Sequence, residues 1–187
     1  MNATLPSGDL NEFIFEQKCY IDIAGNGMNE TIVMQSLPDI SDSKGAGYSD
    51  ETSIGRSTPF KTYNNSDNRT INWNAHFMVT KKEHVEKFFG YIRAIQAAVY
   101  PFDSRSSQGG LGGAPYAPPP ICKLQCGDLL SKLPLNAIMK SYSIKFDTSV
   151  PWDEDTFLPY KFDIDMTFDI IYDQSNLPDS TKILNDS

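Results

Sequence analysis

The most regular pattern in the chain lies at residues 160–173 and reads Tyr-Lys-Phe-Asp-Ile-Asp-Met-Thr-Phe-Asp-Ile-Ile-Tyr-Asp. Apolar side chains hold every even position, and all but one of the odd positions are polar or charged. Because side chains alternate between the two faces of a β-strand, this period predicts a strand with one buried face and one wet face. At ~3.3 Å per residue the segment spans about 46 Å, far more than the ~5–6 residues of a usual strand.

Other segments continue the β pattern toward the N-terminus. Strands are predicted at about 12–23, 30–36, 70–79, 121–128 and 137–148. The segment 70–79 places Ile71, Trp73, Ala75, Phe77 and Val79 on one face and Asn72, Asn74, His76 and Met78 on the other. The segment 137–148 places Ile138, Tyr142, Ile144 and Phe146 on one face and Ser141, Ser143, Lys145 and Asp147 on the other. We interpret His76 as a surface or pore-facing residue and not as a ligand.

One segment has a helical period instead. Apolar residues recur at positions 85, 88, 89, 92, 95 and 99, which form a wide stripe along one side of a helix. Thr80 and Glu83 have the spacing of a capping box at its start, and Pro101 ends it near Tyr100. The chain is therefore predicted to be mainly β with one amphipathic α-helix, an α+β fold in which the helix covers a sheet face or edge.

Three stretches lack a period and are predicted as loops of a single domain that spans residues 1–187. They are a long arm or loop at 37–69, a loop rich in Gly and Pro at 103–120, and a flexible C-terminal tail at 174–187. The glycines at 109–113 do not make a phosphate-binding loop, because no Gly-Lys-Ser/Thr follows them. For the first stretch, an arm that orders on a partner and an ordinary mobile loop fit the composition equally well.

The charge of the chain is concentrated toward its C-terminal end. Of 24 acidic and 16 basic residues, 10 acidic and 2 basic lie within 147–187, which carries the whole net charge of −8. Such a segment repels nucleic acid and anionic lipid. The N-terminus lacks the pattern of a secretory signal, and no apolar run approaches the ~18–20 residues of a membrane span. We therefore expect no membrane partner.

The three cysteines are Cys19, Cys122 and Cys126. An odd number without a secretory signal predicts free thiols in a reducing compartment. The spacing Cys122-x-x-x-Cys126 does not make a zinc site, because a structural zinc ion takes four ligands and both histidines, His76 and His84, lie in other contexts. No cofactor and no metal are predicted.

The aspartates of the wet face at 160–173 admit several interpretations. A catalytic carboxyl pair needs two different environments, and a calcium site needs a turn that wraps oxygen ligands around the ion; a straight row supplies neither. A solvated outer face is the simplest interpretation. The wall of a water-filled pore that DNA passes through also accounts for the length of the row, because carboxylates repel phosphates.

An order of motifs runs from residue 54 to residue 173. The segments 54–60 and 69–73 lead into a strand, the helix ends at Tyr100-Pro101, and Pro120-Ile-Cys-Lys-Leu-Gln-Cys-Gly-Asp128 precedes two long strands with Trp152 in the turn between them. In this order the chain resembles the baseplate tail-tube junction proteins, or tube initiators, of contractile-tailed bacteriophages. The motifs are structural, and none of them is a catalytic signature.

The resemblance implies a tail-tube fold, in which two packed β-sheets form a sandwich or barrel beside a helix. It implies a homo-hexameric ring around a DNA channel in the virion, assembled in the host cytoplasm as a template for the tail tube. The implied neighbours are the tail tube and hub rings, with tape measure and wedge proteins, and DNA passes without specific binding. The implied lumen-lining residues are Asp163, Asp165, Thr167, Asp169, Lys145 and Asp147. The implied contacts between subunits or rings are Arg56, Pro59, Phe60 and Arg69.

Three rival functions remain open. A tail tube protein or a secretion-system tube protein would share the same fold. A monomeric β-sandwich that binds carbohydrate would differ in its oligomeric mass. A hydrolase that uses Asp163 and Asp165 is weakened because the sequence offers no accompanying constellation of His, Ser, Cys or metal ligands. We expect a structural protein and not an enzyme.

Overall fold

The computed structural model describes residues 18–25, 28–80, 82–103, 116–154, 159–173 and 177–180. The strands are β1 (Cys19–Gly25), β2 (Met28–Val33), β3 (Asp39–Ser43), β4 (Ala46–Glu51), β5 (Phe60–Ser66), β6 (Thr70–Met78), β7 (Phe102–Asp103), β8 (Tyr116–Ala117), β9 (Ile121–Cys126), β10 (Leu135–Phe146) and β11 (Lys161–Ile170). The helix α1 spans Lys82–Ala97. The predicted α+β class, mainly β with one helix, is confirmed for this part of the chain.

Seven strands form one antiparallel sheet in the order β2-β1-β9-β10-β11-β6-β3. The strands β4 and β5 form a separate hairpin, and β7 pairs with β8. The resemblance implied a sandwich or barrel of two sheets, but the large sheet is open and does not close into a barrel within the residues described, so β2 and β3 are its edges. The longest pairing runs along β10 and β11 at the middle of the sheet.

The core lies against one face of the seven-stranded sheet. The alternation predicted for 160–173 holds through β11, where Phe162, Ile164, Met166, Phe168 and Ile170 are all buried. Their neighbours on β6, namely Ile71, Trp73, Ala75 and Phe77, are buried on the same side. Burying one such side chain stabilises a fold by about 1.5–3 kcal/mol, so this face holds the strands in their register.

Helix α1 covers part of this apolar face. Val85, Phe88, Ile92 and Ile95 are buried as the stripe predicts, and Phe89 is partly buried against the core. The Phe88 ring lies 5.3 Å from that of Phe77 and 5.8 Å from that of Phe162, measured between ring centres. Aromatic contacts at these distances add to the burial of apolar surface. The helix is therefore fastened to β6 and β11.

A β-bulge in β10 overturns one predicted face. The register with β11 shifts between Met139 and Ser141, so the residues on either side alternate out of phase. Ala137 and Met139 are buried, whereas Ile138, which the period placed on the apolar face, is 41% exposed. An extra residue in one strand reverses the side-chain alternation on the far side of the bulge. The alternation of apolar and polar residues in the sequence does not reveal where such a residue lies.

The prediction of a loop over residues 37–69 was wrong for most of that stretch. It contains β3 at the sheet edge and the hairpin of β4 and β5. Most side chains there are polar, and the few apolar ones recur with neither a period of two nor a helical period. Pairing with β6 makes β3 a strand despite its polar sequence.

Some predictions fall on residues outside those described. These are 12–17 of the first strand, 104–115 of the Gly- and Pro-rich loop, and 174–176 and 181–187 of the tail. The described helix is too short and too polar to cross a bilayer.

Candidate functional site

The wet face of the sheet brings together polar side chains from four strands. Asp163, Asp165, Thr167 and Asp169 of β11 lie on this face, opposite the buried side of the same strand. The register places Lys145, Ser143 and Ser141 of β10 beside the first three, and His76, Asn74, Asn72 and Thr70 of β6 on the other side. Asp39, Ser41 and Ser43 of β3 continue the rows to the edge. We refer to this set as the acidic face.

His76 joins two carboxylates of the acidic face. Its Nδ1 lies 2.7 Å from Oδ1 of Asp163, and its Nε2 lies 3.4 Å from Oδ2 of Asp39. The hydrogen bond with Asp163 raises the pKa of His76, Asp39 raises it further, and partial burial acts in the opposite direction. The histidine thus links β3, β6 and β11 on their polar side, which the interpretation of His76 as an ordinary surface residue missed.

A second part of the row is also paired. The Nζ atom of Lys140, at the bulge of β10, lies 3.2 Å from Oδ2 of Asp169, whose side chain is 16% exposed. The hydroxyl of Thr70 donates to the other oxygen of Asp169 over 2.9 Å. The Thr167 hydroxyl donates to the Asn72 side-chain oxygen at 3.2 Å. The row is therefore less purely acidic than the sequence predicted.

Asp165 is the exposed carboxylate at the middle of β11. Together with Asp39, Asn72 and Asn74 it borders an open hollow of about 410 Å³ between β3, β6 and β11. The side-chain oxygen of Asn74 is shielded from solvent and has no hydrogen-bond partner among the described atoms. The carboxylates that border this hollow are those of Asp165 and Asp39.

The two predicted lumen residues outside β11 differ in position. Lys145 is paired with Asp163 in the β10–β11 register and belongs to the acidic face. Asp147 lies beyond the end of β10, where its carboxylate accepts hydrogen bonds from the backbone N–H and the hydroxyl of Ser149. These hydrogen bonds lower the pKa of Asp147. Asp147 thus closes a turn beyond the end of β10, and its place in a lumen stays a prediction.

Three of the predicted contact residues, Arg56, Pro59 and Phe60, belong to the hairpin of β4 and β5. Every residue of β5 is exposed, and Arg56, Pro59 and Phe60 lie in or beside the exposed connection between the strands. The Arg56 guanidinium lies 3.3 Å from the centre of the Phe60 ring. Exposed apolar side chains line the hairpin, namely Tyr48, Ile54, Phe60 and Tyr63. An isolated two-stranded hairpin is only marginally stable in water.

Arg69, the fourth predicted contact residue, makes its contacts within the chain. Its Nε lies 3.0 Å from both carboxylate oxygens of Asp42, and its Nη2 lies 2.6 Å from Oδ2. The Nη2 group also donates to the Leu130 carbonyl over 3.2 Å. Arg69 thus connects the start of β6 to β3 and to the segment between β9 and β10, and its role between subunits stays a prediction.

Neither a scan against models of protein families nor a search of characterised proteins finds a match. Within the described ranges, no group of three or more His, Cys, Asp or Glu side chains could hold a metal ion. What the site can do must be inferred from its own charges and contacts.

Sequence reasoning found the polar residues of β6, β10 and β11 but missed their partners. The pairs His76–Asp163 and Lys140–Asp169 each join residues from different strands. Asp39 lies in a segment that was predicted as loop. Only the strand order and register, which are long-range properties, bring these groups together.

Proposed function

We propose that this chain is a structural virion protein of a contractile phage tail. It forms a hexameric ring at the junction of baseplate and tail tube, and the acidic face lines the DNA channel. One observation supports this most: β11, an interior strand of the sheet, is buried on one face and presents Asp163, Asp165, Thr167 and Asp169 on the other. A channel wall needs both a packed subunit core and a wet surface to which DNA does not adhere.

The charges of the acidic face suit passage better than binding. Carboxylates repel the phosphate backbone of DNA, whereas unpaired cations on the same face would attract it. Lys140 lies beside Asp169, and Lys145 is paired with Asp163 in the register, so basic side chains on this face have acidic neighbours. DNA that passes through the channel would therefore meet no row of unpaired basic side chains on the acidic face.

Ring contacts would come from the exposed hairpin and not from the two sheet edges. The edge strand β3 is short and carries Asp39 and Asp42, which disfavours indiscriminate pairing with other sheets. The other edge, β2, contacts the helix, and the backbone N–H of Val33 lies 3.4 Å from the Tyr91 hydroxyl. The hairpin exposes the apolar side chains of Tyr48, Ile54, Phe60 and Tyr63, so we assign to it the contact with a neighbouring subunit or ring, including the tail tube and hub.

Two alternatives keep an observation in their favour. The tail tube itself, or the tube of a secretion system, would use the same acidic face in the same way. A monomeric carbohydrate-binding module would use the hollow beside Asp39, Asn72, Asn74 and Asp165, since polar side chains there could meet sugar hydroxyls. The exposed hairpin favours an assembling protein over a monomer.

Electron microscopy of the purified full-length chain tests the proposal. We expect six-fold rings with a central channel, either alone or when preformed tube or hub rings are added as a template. Gold-labelled antibodies raised against the chain should mark the tail of virions at its six-fold axis. A chain that stays monomeric with every template, or a label confined to the tail periphery, would contradict the function.

A further inference from the structure

Two of the three cysteines lie directly opposite each other on neighbouring strands. Cys19 is the first residue of β1, Cys126 is the last of β9, and the register pairs them. Their Sγ atoms are 2.9 Å apart, and both residues are buried, at 2% and 5% exposure. Sulfur atoms in a disulfide are about 2.05 Å apart, so a movement of about 0.9 Å would join them.

The backbone around the pair has the geometry that a cross-strand disulfide needs. Lys18 and Gly127 flank the pair, and the backbone N–H of Gly127 donates to the carbonyl of Lys18. That bond makes Cys19 and Cys126 a non-hydrogen-bonded pair, the kind in which opposite side chains approach most closely. The Cα atoms of such a pair are ~4.5 Å apart, at the short end of the ~4.4–6.8 Å range of disulfides.

We propose that Cys19 and Cys126 form a reversible disulfide that fastens β1 to β9. The two thiols stay reduced in a reducing compartment. They form the disulfide when the protein meets a low-molecular-weight disulfide such as oxidised glutathione. This inference stands on the cysteine geometry and is independent of the proposed function.

The reaction is a pair of thiol–disulfide exchanges. The thiolate of one cysteine attacks oxidised glutathione, which forms a mixed disulfide and releases one glutathione thiolate. The second cysteine loses its proton and attacks the protein sulfur of that mixed disulfide, so the second glutathione leaves. The protein gives up two electrons and two protons, and one oxidised glutathione becomes two reduced ones.

Burial sets the rate of this reaction. Burial raises the pKa of the Cys19 thiol, and the contact with Cys126 raises it further, so little thiolate forms at neutral pH in the folded chain. Exchange should therefore be slow in native protein and much faster during folding, before the strands close over the sulfurs. The bond once formed joins residues 107 positions apart in sequence. It would hold the hairpin of β1 and β2 to the rest of the sheet.

The third cysteine provides a control within the chain. Cys122 lies on the same face of β9 as Cys126, four residues away, which is about 13 Å along a strand. Its register partners are Ile23 and Ala137, so no cysteine lies opposite it. Burial raises its pKa to about 11. Cys122 should keep a free thiol when the other two are joined.

Peptide mapping of the full-length chain tests the assignment. The protein is incubated with oxidised glutathione, both folded and during refolding from denaturant, and free thiols are then alkylated. Trypsin cleaves after Lys18, Lys44, Lys123 and Lys132, so Cys19, Cys122 and Cys126 fall on three separate peptides. We expect 19–44 linked to 124–132, alkylated Cys122, and a fall from three titratable thiols to one.

Matched variants separate a specific bond from general oxidation. Cys122→Ala should keep the link and go from two thiols to none, whereas Cys19→Ala and Cys126→Ala should form no intramolecular bond. The urea midpoint of oxidised wild type and oxidised Cys122→Ala should rise and return to the reduced value with a reductant. A link that involves Cys122, or no internal link in either the folded or the refolded arm, would overturn the proposal.

Discussion

At the scale of single residues, the aspartates of the acidic face are not equivalent. The Asp163 carboxylate lies 2.7 Å from Nδ1 of His76, and the Asp169 carboxylate lies 3.2 Å from Nζ of Lys140. A substitution at either aspartate therefore removes a contact between strands. Asp165 is exposed, and its side chain can be changed with the least effect on the fold. Tests of charge should therefore use Asp165, and tests of pairing should use Asp163.

The histidine pairing predicts a pH dependence. The pKa of His76 in the folded chain should exceed the ordinary ~6.5. The contact of protonated His76 with Asp163 therefore contributes fully to stability below pH ~6.5. This contribution is lost as the pH rises through the raised pKa of His76. Nuclear magnetic resonance of the His76 ring measures this pKa, and Asp163→Asn should lower it.

Unfolding measurements at several pH values test the same contact independently. In parallel, wild type should lose stability relative to His76→Gln as the pH rises above ~6.5, by less than ~1 kcal/mol because the groups are partly exposed. A His76 pKa that is the same in wild type and Asp163→Asn would show that the contact has no electrostatic effect.

Asp165 tests whether the acidic face meets DNA. Asp165→Lys should leave the fold intact, because the apolar side of β11 is untouched, but it should slow DNA ejection from virions. The slowing should weaken at high salt, since cation–phosphate contacts are screened. Asp165→Asn should give an intermediate rate.

Glu86→Lys makes the same charge change on the exposed side of the helix and should leave ejection unchanged. Asp165→Lys virions that eject at the wild-type rate across a range of salt would show that the row is only a solvated exterior.

At the scale of elements, the helix is held by one apolar side. Phe88 is 4% exposed and packs against rings on β6 and β11. Phe88→Ala should therefore destabilise the fold by ~3–5 kcal/mol, through lost burial and the cavity that remains. Urea unfolding followed by circular dichroism measures the change.

Glu86 is exposed in the same turn, and Glu86→Ala should change the free energy of unfolding by no more than about 0.5 kcal/mol. Lys87→Ala should also cost little, although Lys87 lies 5.9 Å from the centre of the Tyr91 ring. Equal losses at Phe88 and Glu86 would mean that the helix presents a different side to the sheet.

At the scale of the whole molecule, the hairpin of β4 and β5 can be separated from the sheet. The backbone N–H of Asp67 donates to the carbonyl of Gly45 over 3.0 Å, so the two ends of the hairpin are close together. Replacing residues 46–66 by a short glycine linker should leave the thermal midpoint of the domain nearly unchanged, because β5 is exposed throughout. It should abolish ring assembly in electron micrographs.

A milder variant guards against an indirect effect of the deletion. Ile54 is fully exposed, so Ile54→Ser should not affect folding but should weaken assembly. Rings that form equally well in the deletion variant would place the subunit contacts elsewhere, for instance at the edge strand β3.

The sequence by itself determined the parts of this protein that depend on local periods. Alternation in 160–173 and 70–79 separated the buried residues of β11 and β6 from the polar ones, and the stripe from Val85 to Ile95 located the helix. These predictions succeed because covalent geometry fixes a period of two in a strand and 3.6 in a helix, whatever the element packs against.

Only the tertiary structure decided which strands are neighbours and in what register. The bulge that turns Ile138 outward, the strand β3, the His76–Asp163 pair and the contact of Cys19 with Cys126 all depend on it. Each of these features joins residues far apart in sequence or depends on how a neighbouring strand is paired. Burial of the shared apolar face selects that pairing, because a slip of one residue would turn the face toward water.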